Sequence, residues 1–180
     1  MKRSAGVYLF SEDTGKLLLL LRSKICPSPF TWAVIAGAVD EGETFEVAAE
    51  RELREELNYN ETIELTPFFQ DLDGDRHFES FISFIPKEIE FKIDLTENIE
   101  YKWVSKEDFY EINPKHWGVA DCLSDSSSKI ILDSFFKWSV KVNVMEIDLS
   151  KEILADKEDK VLNKPFGLPE RDRKKFGVYV

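Results

Sequence analysis

Residues 37–57 read GAVDEGETFEVAAERELREEL and contain eight carboxylates but only two arginines. Like-charged neighbours each cost a few tenths of a kcal/mol even on an exposed helix, so this crowding needs an explanation. From residue 45 onward, apolar side chains recur every four positions, which predicts an amphipathic helix over residues 44–57. We expect this helix to begin at Glu43 or Thr44 and to be followed by Asn58 in a left-handed conformation.

Three carboxylates of this helix converge on one arc of the helical wheel. Glu52, Glu55 and Glu56 lie beside the apolar stripe, and Glu56 falls inside its edge. A partly buried cluster of like charge is costly unless a cation neutralises it, and Arg51 and Arg54 are too few to do so. Mg²⁺ prefers oxygen ligands and bridges to phosphates. The spacing therefore indicates either a metal site or a solvated acidic helix laced with Arg–Glu pairs.

The composition limits the classes of function. The 180 residues are 43% hydrophobic, which is enough for one domain with a sizeable core. A net charge of −11 argues against broad, sequence-independent binding to nucleic acid or to anionic membranes. No apolar run reaches the roughly 18 residues of a membrane span, and Cys26 and Cys122 lack a paired spacing. We therefore expect a reduced, cytoplasmic protein without a membrane partner.

The remaining sequence patterns predict strands on both sides of the acidic helix. Six segments have strand character, namely residues 4–10, 16–22, 31–37, 62–72, 77–86 and 100–105. Two further segments, 106–112 and 127–138, have helical character. This order predicts an α/β fold in which a mixed sheet lies between helices. We expect residues 1–140 to form the domain and residues 141–180 to be a C-terminal extension docked on it.

The acidic stretch resembles the signature of the Nudix hydrolases. That signature is Gly, five residues, Glu, seven residues, then Arg-Glu-aliphatic-any-Glu-Glu-any-Gly-aliphatic. Asn58 stands in place of its late glycine and Tyr59 in place of its last aliphatic residue, and Asn tolerates the left-handed conformation. The resemblance covers residues 4–110 and implies a Nudix-like α/β/α sandwich with a mixed central sheet. The matching positions are Gly37, Glu43, Arg51, Glu52, Leu53, Glu55 and Glu56.

The resemblance implies Mg²⁺-dependent hydrolysis of a diphosphate linkage by residues 1–140, the catalytic domain. Glu52 and Glu56 would be the principal Mg²⁺ ligands. Glu55 and the carbonyl group of Gly37 would complete the set, and Mn²⁺ is an alternative ion. The metal would neutralise the phosphate charge and lower the pKa of water.

Other catalytic residues are implied by the same resemblance. Glu43 and Arg51 would form an ion pair that ties the acidic loop to the helix and so orients it. A base for water activation often lies six residues before the tryptophan of the WV strand, which here is Glu97 before Trp103. Glu100 is the competing candidate, and the alternative for both glutamates is a surface charge.

Candidate substrate contacts lie after the strand LLLLLR. Arg22 either reaches substrate phosphates or only solvates the end of the strand. Phe30 and Trp32 are candidates for stacking on a nucleobase. The alternative is that they belong to the core, as most aromatic residues of such an aromatic-rich chain do.

The implied substrate is a nucleoside diphosphate linked to another group, and the main expected partner is a small-molecule nucleotide. Nucleoside triphosphates, nucleotide sugars and RNA 5′ ends are all open alternatives, and a homodimer is an open expectation for the assembly. The alternative function is a non-catalytic Nudix-like domain that senses a nucleotide. Such domains commonly lose signature carboxylates, whereas this chain keeps them all, which favours an enzyme.

Overall fold

The computed structural model describes residues 1–136, in which seven strands form one mixed sheet. The strands are β1 Lys2–Ser11, β2 Leu17–Arg22, β3 Trp32–Ala33, β4 Ile35–Ala38, β5 Thr66–Asp73, β6 Arg76–Ile85 and β7 Asn98–Val104. The helices are α1 Phe45–Leu57, α2 Lys106–Glu111 and α3 Trp117–Ser124, and residues 126–136 are also helical.

Strand β1 lies at the centre of the sheet. The main strand order is β3-β2-β1-β6-β5, while β4 also pairs with β1 and β7 pairs with β2. The β1–β6 pair is parallel, and the other pairs are antiparallel. Strand β4, which precedes α1, pairs with β1, and strand β7 pairs with β2. These pairings bring the segment before α1 and the segment after residue 94 to the same half of the sheet.

Helices cover both faces of this sheet. Alternate residues of β1 point to opposite sides, and the apolar side chains on each side pack against a helix. On one side, Val7 belongs to a buried cluster with Leu53 of α1. On the other side, Tyr8 belongs to a cluster with Val119 of α3. This arrangement confirms the predicted α/β/α sandwich with a mixed central sheet.

The acidic helix has the predicted bounds. Thr44 is its N-cap, and the Thr44 side chain accepts a hydrogen bond of 3.3 Å from the Val47 N–H. At the other end Asn58 is left-handed, with a φ of 52°, and its N–H donates to the Leu53 carbonyl group. The N–H of Tyr59 donates to the same carbonyl group at 3.4 Å. Local sequence signals therefore suffice to begin and end α1.

Two of the predicted strands differ from the structure. The predicted strand 31–37 is divided into β3 and β4, because its first part pairs with β2 and its second part pairs with β1. The predicted strand 62–72 begins only at Thr66. Pairing partners, which periodicity does not reveal, set these boundaries.

Helix α3 was not predicted. It begins after His116, whose ring Nδ1 accepts a hydrogen bond of 3.3 Å from the Gly118 N–H. Histidine is not among the residues usually found at this position, and Gly118 lowers helix propensity. The helix is stable here because Val119 and Cys122 are buried against the sheet.

The expected C-terminal extension 141–180 and the end of the predicted helix 127–138 lie outside the described residues. Within residues 1–136, no helix combines the length and the apolarity that crossing a bilayer would require.

Candidate active site

Helix α1 places Glu52 directly over the backbone of β4. Gly37 pairs with Ala5 of β1, and the Glu52 carboxylate packs against it. A Cβ atom added to Gly37 would overlap the Glu52 carboxylate, which would then have to move. Glycine at position 37 therefore allows the carboxylate and the strand to approach this closely.

Arg51 joins the acidic loop to the helix. Its Nε and Nη2 donate to the two carboxylate oxygens of Glu43, each at 3.1 Å. Its Nη1 donates to Glu52 at 2.6 Å and to Glu55 at 2.9 Å. Its Nη2 also donates to the Ala38 carbonyl group at 2.6 Å. The hydrogen bonds from Arg51 and from the backbone N–H of residue 40 lower the pKa of Glu43, so this ion pair is a fixed part of the site.

Glu56 is the most buried carboxylate of the helix. It is 3% exposed, and its Oε2 atom has no hydrogen-bond partner. Burial, and then the charge of Glu52, raise the pKa of Glu56 to about 8. Burial also raises the pKa of Glu52, although Arg51 opposes this. Two neighbouring carboxylates with raised pKa values require either protons or a cation.

The donor atoms around Glu56 suit a hard divalent cation. The candidate ligands, the carboxylates of Glu52, Glu55 and Glu56 and the carbonyl group of Gly37, are all oxygens, as Mg²⁺ prefers. In residues 1–136, however, no three Asp, Glu, His or Cys side chains already converge as a metal site. Arg51 explains this, because it takes one oxygen each of Glu52 and Glu55. Oε2 of Glu56 has no hydrogen-bond partner in the described residues, and Arg51 bonds only one oxygen each of Glu52 and Glu55.

Glu97 lies close to the two buried carboxylates. Its charge contributes to the raised pKa values of both Glu52 and Glu56. Its backbone carbonyl group accepts a hydrogen bond of 2.7 Å from the Ser23 N–H, which fixes the loop that carries it. Glu100 instead forms an ion pair of 3.1 Å with Lys102. The structure thus brings Glu97 to the helix carboxylates, although its role as a base stays a prediction.

Arg22 lies between the carboxylates and His116. The charge of Arg22 lowers the pKa of Glu56. Burial, and then the charge of Arg22, lower the pKa of His116 to about 4. The Nε of Arg22 donates to the Pro27 carbonyl group at 3.0 Å. A cation in this position is suited to a phosphate group next to the acidic centre. The sequence gives His116 no ligand partner at a useful spacing, and in the structure its ring caps helix α3.

The two aromatic candidates are in different environments. Phe30 is 53% exposed and left-handed, with a φ of 56°, which is unusual for a bulky residue. Trp32 is 6% exposed and belongs to a buried core cluster. The Nζ of Lys102 lies 4.8 Å from the centroid of the Trp32 ring. Burial favours the core interpretation for Trp32, and a stacking role for either residue stays a prediction.

The structure thus combines a mixed sheet, a carboxylate-bearing helix packed on a strand glycine and an arginine that joins the acidic loop to that helix. The NUDIX domain model matches residues 1–124. The chain therefore belongs to the NUDIX domain family, which confirms the resemblance seen in the acidic stretch.

The similar proteins are hydrolases with different names. An RNA pyrophosphohydrolase from Caulobacter vibrioides is 49% identical over 53 residues, which are 29% of this chain and 30% of that protein. The match thus spans less than a third of that relative. An Ap4A hydrolase structure from C. elegans is 24% identical, with a TM-score of 0.55, over 74% of this chain and 98% of that one. A dihydroneopterin triphosphate pyrophosphohydrolase structure from E. coli is 22% identical, with a TM-score of 0.54, over 74% and 94%. These two likenesses show the fold.

Proposed function

We propose that the chain is a Nudix-type pyrophosphohydrolase that uses a divalent metal to hydrolyse a diphosphate linkage in a nucleoside diphosphate joined to another group. One observation carries the proposal, which is the buried Glu56 oxygen without a partner beside the second buried carboxylate of Glu52. Such an arrangement costs stability and has a chemical purpose only if a cation enters it. Membership of the NUDIX domain family supports the same conclusion.

The metal would be held by Glu52, Glu55, Glu56 and the carbonyl group of Gly37. When bound, Mg²⁺ or Mn²⁺ would neutralise phosphate charge and lower the pKa of water. Arg51 and Glu43 do not react in this scheme. They hold the helix against the loop, so that Glu52 keeps its place over β4.

The chain's own residues provide the proton transfer and the phosphate contact. Glu97 accepts a proton from the attacking water as the new oxygen–phosphorus bond forms and the bond to the bridging oxygen breaks. Its position near Glu52 and Glu56 supports this role, because a base must reach the reacting water. Arg22 binds the phosphate that carries the departing negative charge.

We propose small nucleotides as the main substrates and triphosphorylated RNA 5′ ends as a second class. The partial similarity to an RNA pyrophosphohydrolase supports the second class. The exposed ring of Phe30, eight residues after Arg22, is a suitable nucleobase contact for either class. We also propose a cytoplasmic location, which the free thiols of Cys26 and Cys122 support. The homodimer is a further prediction.

The test is release of phosphate and pyrophosphate from a panel of substrates, with and without Mg²⁺. The panel contains nucleoside triphosphates, nucleotide sugars, dinucleoside polyphosphates and a triphosphorylated RNA oligonucleotide. We expect Mg²⁺-dependent release from at least one member and none in the presence of a chelator. Tight binding of a nucleotide without release, at any Mg²⁺ or Mn²⁺ concentration, would instead establish the sensing domain.

A further inference from the structure

Asn98, the first residue of β7, is buried against the carboxylate of Glu56. Asn98 is 1% exposed, and its amide Nδ2 has no hydrogen-bond partner. Oε2 of Glu56 is also buried without a partner. The Asn98 side chain is directed at the Glu56 carboxylate closely enough to lower its pKa, but the contact falls short of full hydrogen-bond geometry. A buried donor on Asn98 and a buried acceptor on Glu56 are therefore both without a partner.

Stability does not explain an asparagine at this position. An unsatisfied buried amide costs about 1–3 kcal/mol, and an apolar side chain of similar shape would avoid that cost. The backbone N–H of Asn98 is satisfied, because it donates to the Asp94 carbonyl group at 2.9 Å, and the residue lies opposite Arg22. The amide group must have another use.

The backbone holds Asn98 in a fixed position relative to Glu56. The Asp94 N–H donates to the Glu56 carbonyl group at 3.0 Å, and Asn98 donates in turn to Asp94. On the other side of the loop, the Ser23 hydroxyl donates to the Thr96 carbonyl group at 2.6 Å. The loop is thus attached both to the end of α1 and to the segment after β2, which keeps the backbone of Asn98 close to Glu56.

We propose that Asn98 is a positioning residue, whose Nδ2 donates to the Glu56 carboxylate and holds it in the orientation in which it ligates the divalent cation. The inference rests on the proposed metal site. A donor behind a carboxylate ligand restricts its orientation, and such donors typically change metal affinity by 10–100-fold.

The decisive variant is Asn98→Leu, which keeps the branched shape of the side chain, is larger and removes the donor. We expect the dissociation constant for Mg²⁺, measured by calorimetry with MgCl₂ alone, to rise about 10–100-fold. We expect the melting temperature of the metal-free protein to stay the same or to rise, because the unsatisfied amide is gone. Asn98→Ala, which is smaller, cannot overpack and has no side-chain donor, should show the same loss of affinity if the leucine variant does not fold.

The matched control is Ser83→Ala on β6. Ser83 is also 1% exposed, and its Oγ also lacks a partner, so this variant removes a comparable buried polar atom. Its Mg²⁺ affinity should equal that of the parent within about threefold. This equality would tie the loss in the Asn98 variants to the contact with Glu56.

An unchanged Mg²⁺ affinity in both Asn98 variants would overturn the inference. If the melting temperature fell at the same time, the role of Asn98 would be structural. Glu56→Gln separates this failure from that of the proposed function. If the parent binds Mg²⁺, Glu56→Gln does not and both Asn98 variants bind like the parent, only the role of Asn98 is refuted. If the parent itself binds no divalent ion, the metal site and the role of Asn98 fail together.

Discussion

Replacing Glu56 by glutamine keeps the size of the side chain and removes a buried charge. Burial and the Glu52 charge raise the pKa of Glu56 to about 8, against an ordinary value of 4.5. The folded protein therefore holds a proton that the unfolded chain releases at lower pH. Because the folded state binds more protons between these two values, the free energy of unfolding of the metal-free protein falls as the pH rises from 4.5 to about 8.

The difference between the two pKa values corresponds to about 5 kcal/mol at pH values above 8 and to about 3 kcal/mol at pH 7. Glu56→Gln has no such group to titrate. We therefore expect the variant and the parent to have similar stability near pH 5.5, and the variant to be more stable by several kcal/mol at pH 8.5. Urea denaturation with a chelator present, at intervals between these pH values, measures this difference directly.

Mg²⁺ should reduce this difference in stability. A saturating ion stabilises the parent by about 2.7 kcal/mol at a hundred times its dissociation constant, whereas Glu56→Gln gains little. The rate of hydrolysis should fall at least about a hundredfold in the variant. Glu50→Gln is the matched control, because Glu50 lies on the same helix with 46% of its side chain exposed and should show neither effect.

Two results would refute this reasoning. One is a parallel pH dependence of stability for Glu56→Gln and the parent, which would mean that Glu56 is not destabilised by burial. The other is hydrolysis by Glu56→Gln within about threefold of the parent, which would remove Glu56 from the metal ligands.

Three further predictions concern the neighbouring elements. Asn58→Gly should be neutral or slightly stabilising and Asn58→Val should cost about 1 kcal/mol or more, because residue 58 has a φ of 52°; equal melting temperatures would contradict this. In steady-state kinetics, Glu97→Gln should lower the maximal rate by about ten- to a thousandfold with little change in substrate affinity. Glu100→Gln should leave the maximal rate unchanged, and the opposite pattern would identify Glu100 as the base. Gly37→Ala should weaken Mg²⁺ binding and slow hydrolysis, because the added Cβ would displace the Glu52 carboxylate; parent-like values of both in a folded variant would show that Glu52 can move without loss of the site.

Helix α1 could be predicted from the sequence almost to the residue. Its signals are local, because the four-residue apolar spacing, the Thr44 cap and the left-handed Asn58 all act within a few residues of one another. The convergence of Glu52 and Glu56 follows from the same helical geometry, since residues four apart share a face. The ligand candidates on α1 can therefore be recognised from residue spacing alone.

The surroundings of those carboxylates depend on strand pairing. The β2–β7 register shifts between Leu21 and Arg22, so that Arg22 lies opposite Asn98. Periodicity along one strand gives no information about such a shift, because it depends on the partner strand. The positions of His116 and of helix α3 depend likewise on packing against the opposite face of the sheet.

The sequence by itself thus determined the acidic helix, its ends and the family to which the chain belongs, because each is encoded in residue spacing within a short segment. Only the tertiary structure decided that Arg22, Glu97 and Asn98 meet at Glu56. These residues come from β2, from the loop before β7 and from β7 itself, and long-range pairing and burial bring them to the end of α1.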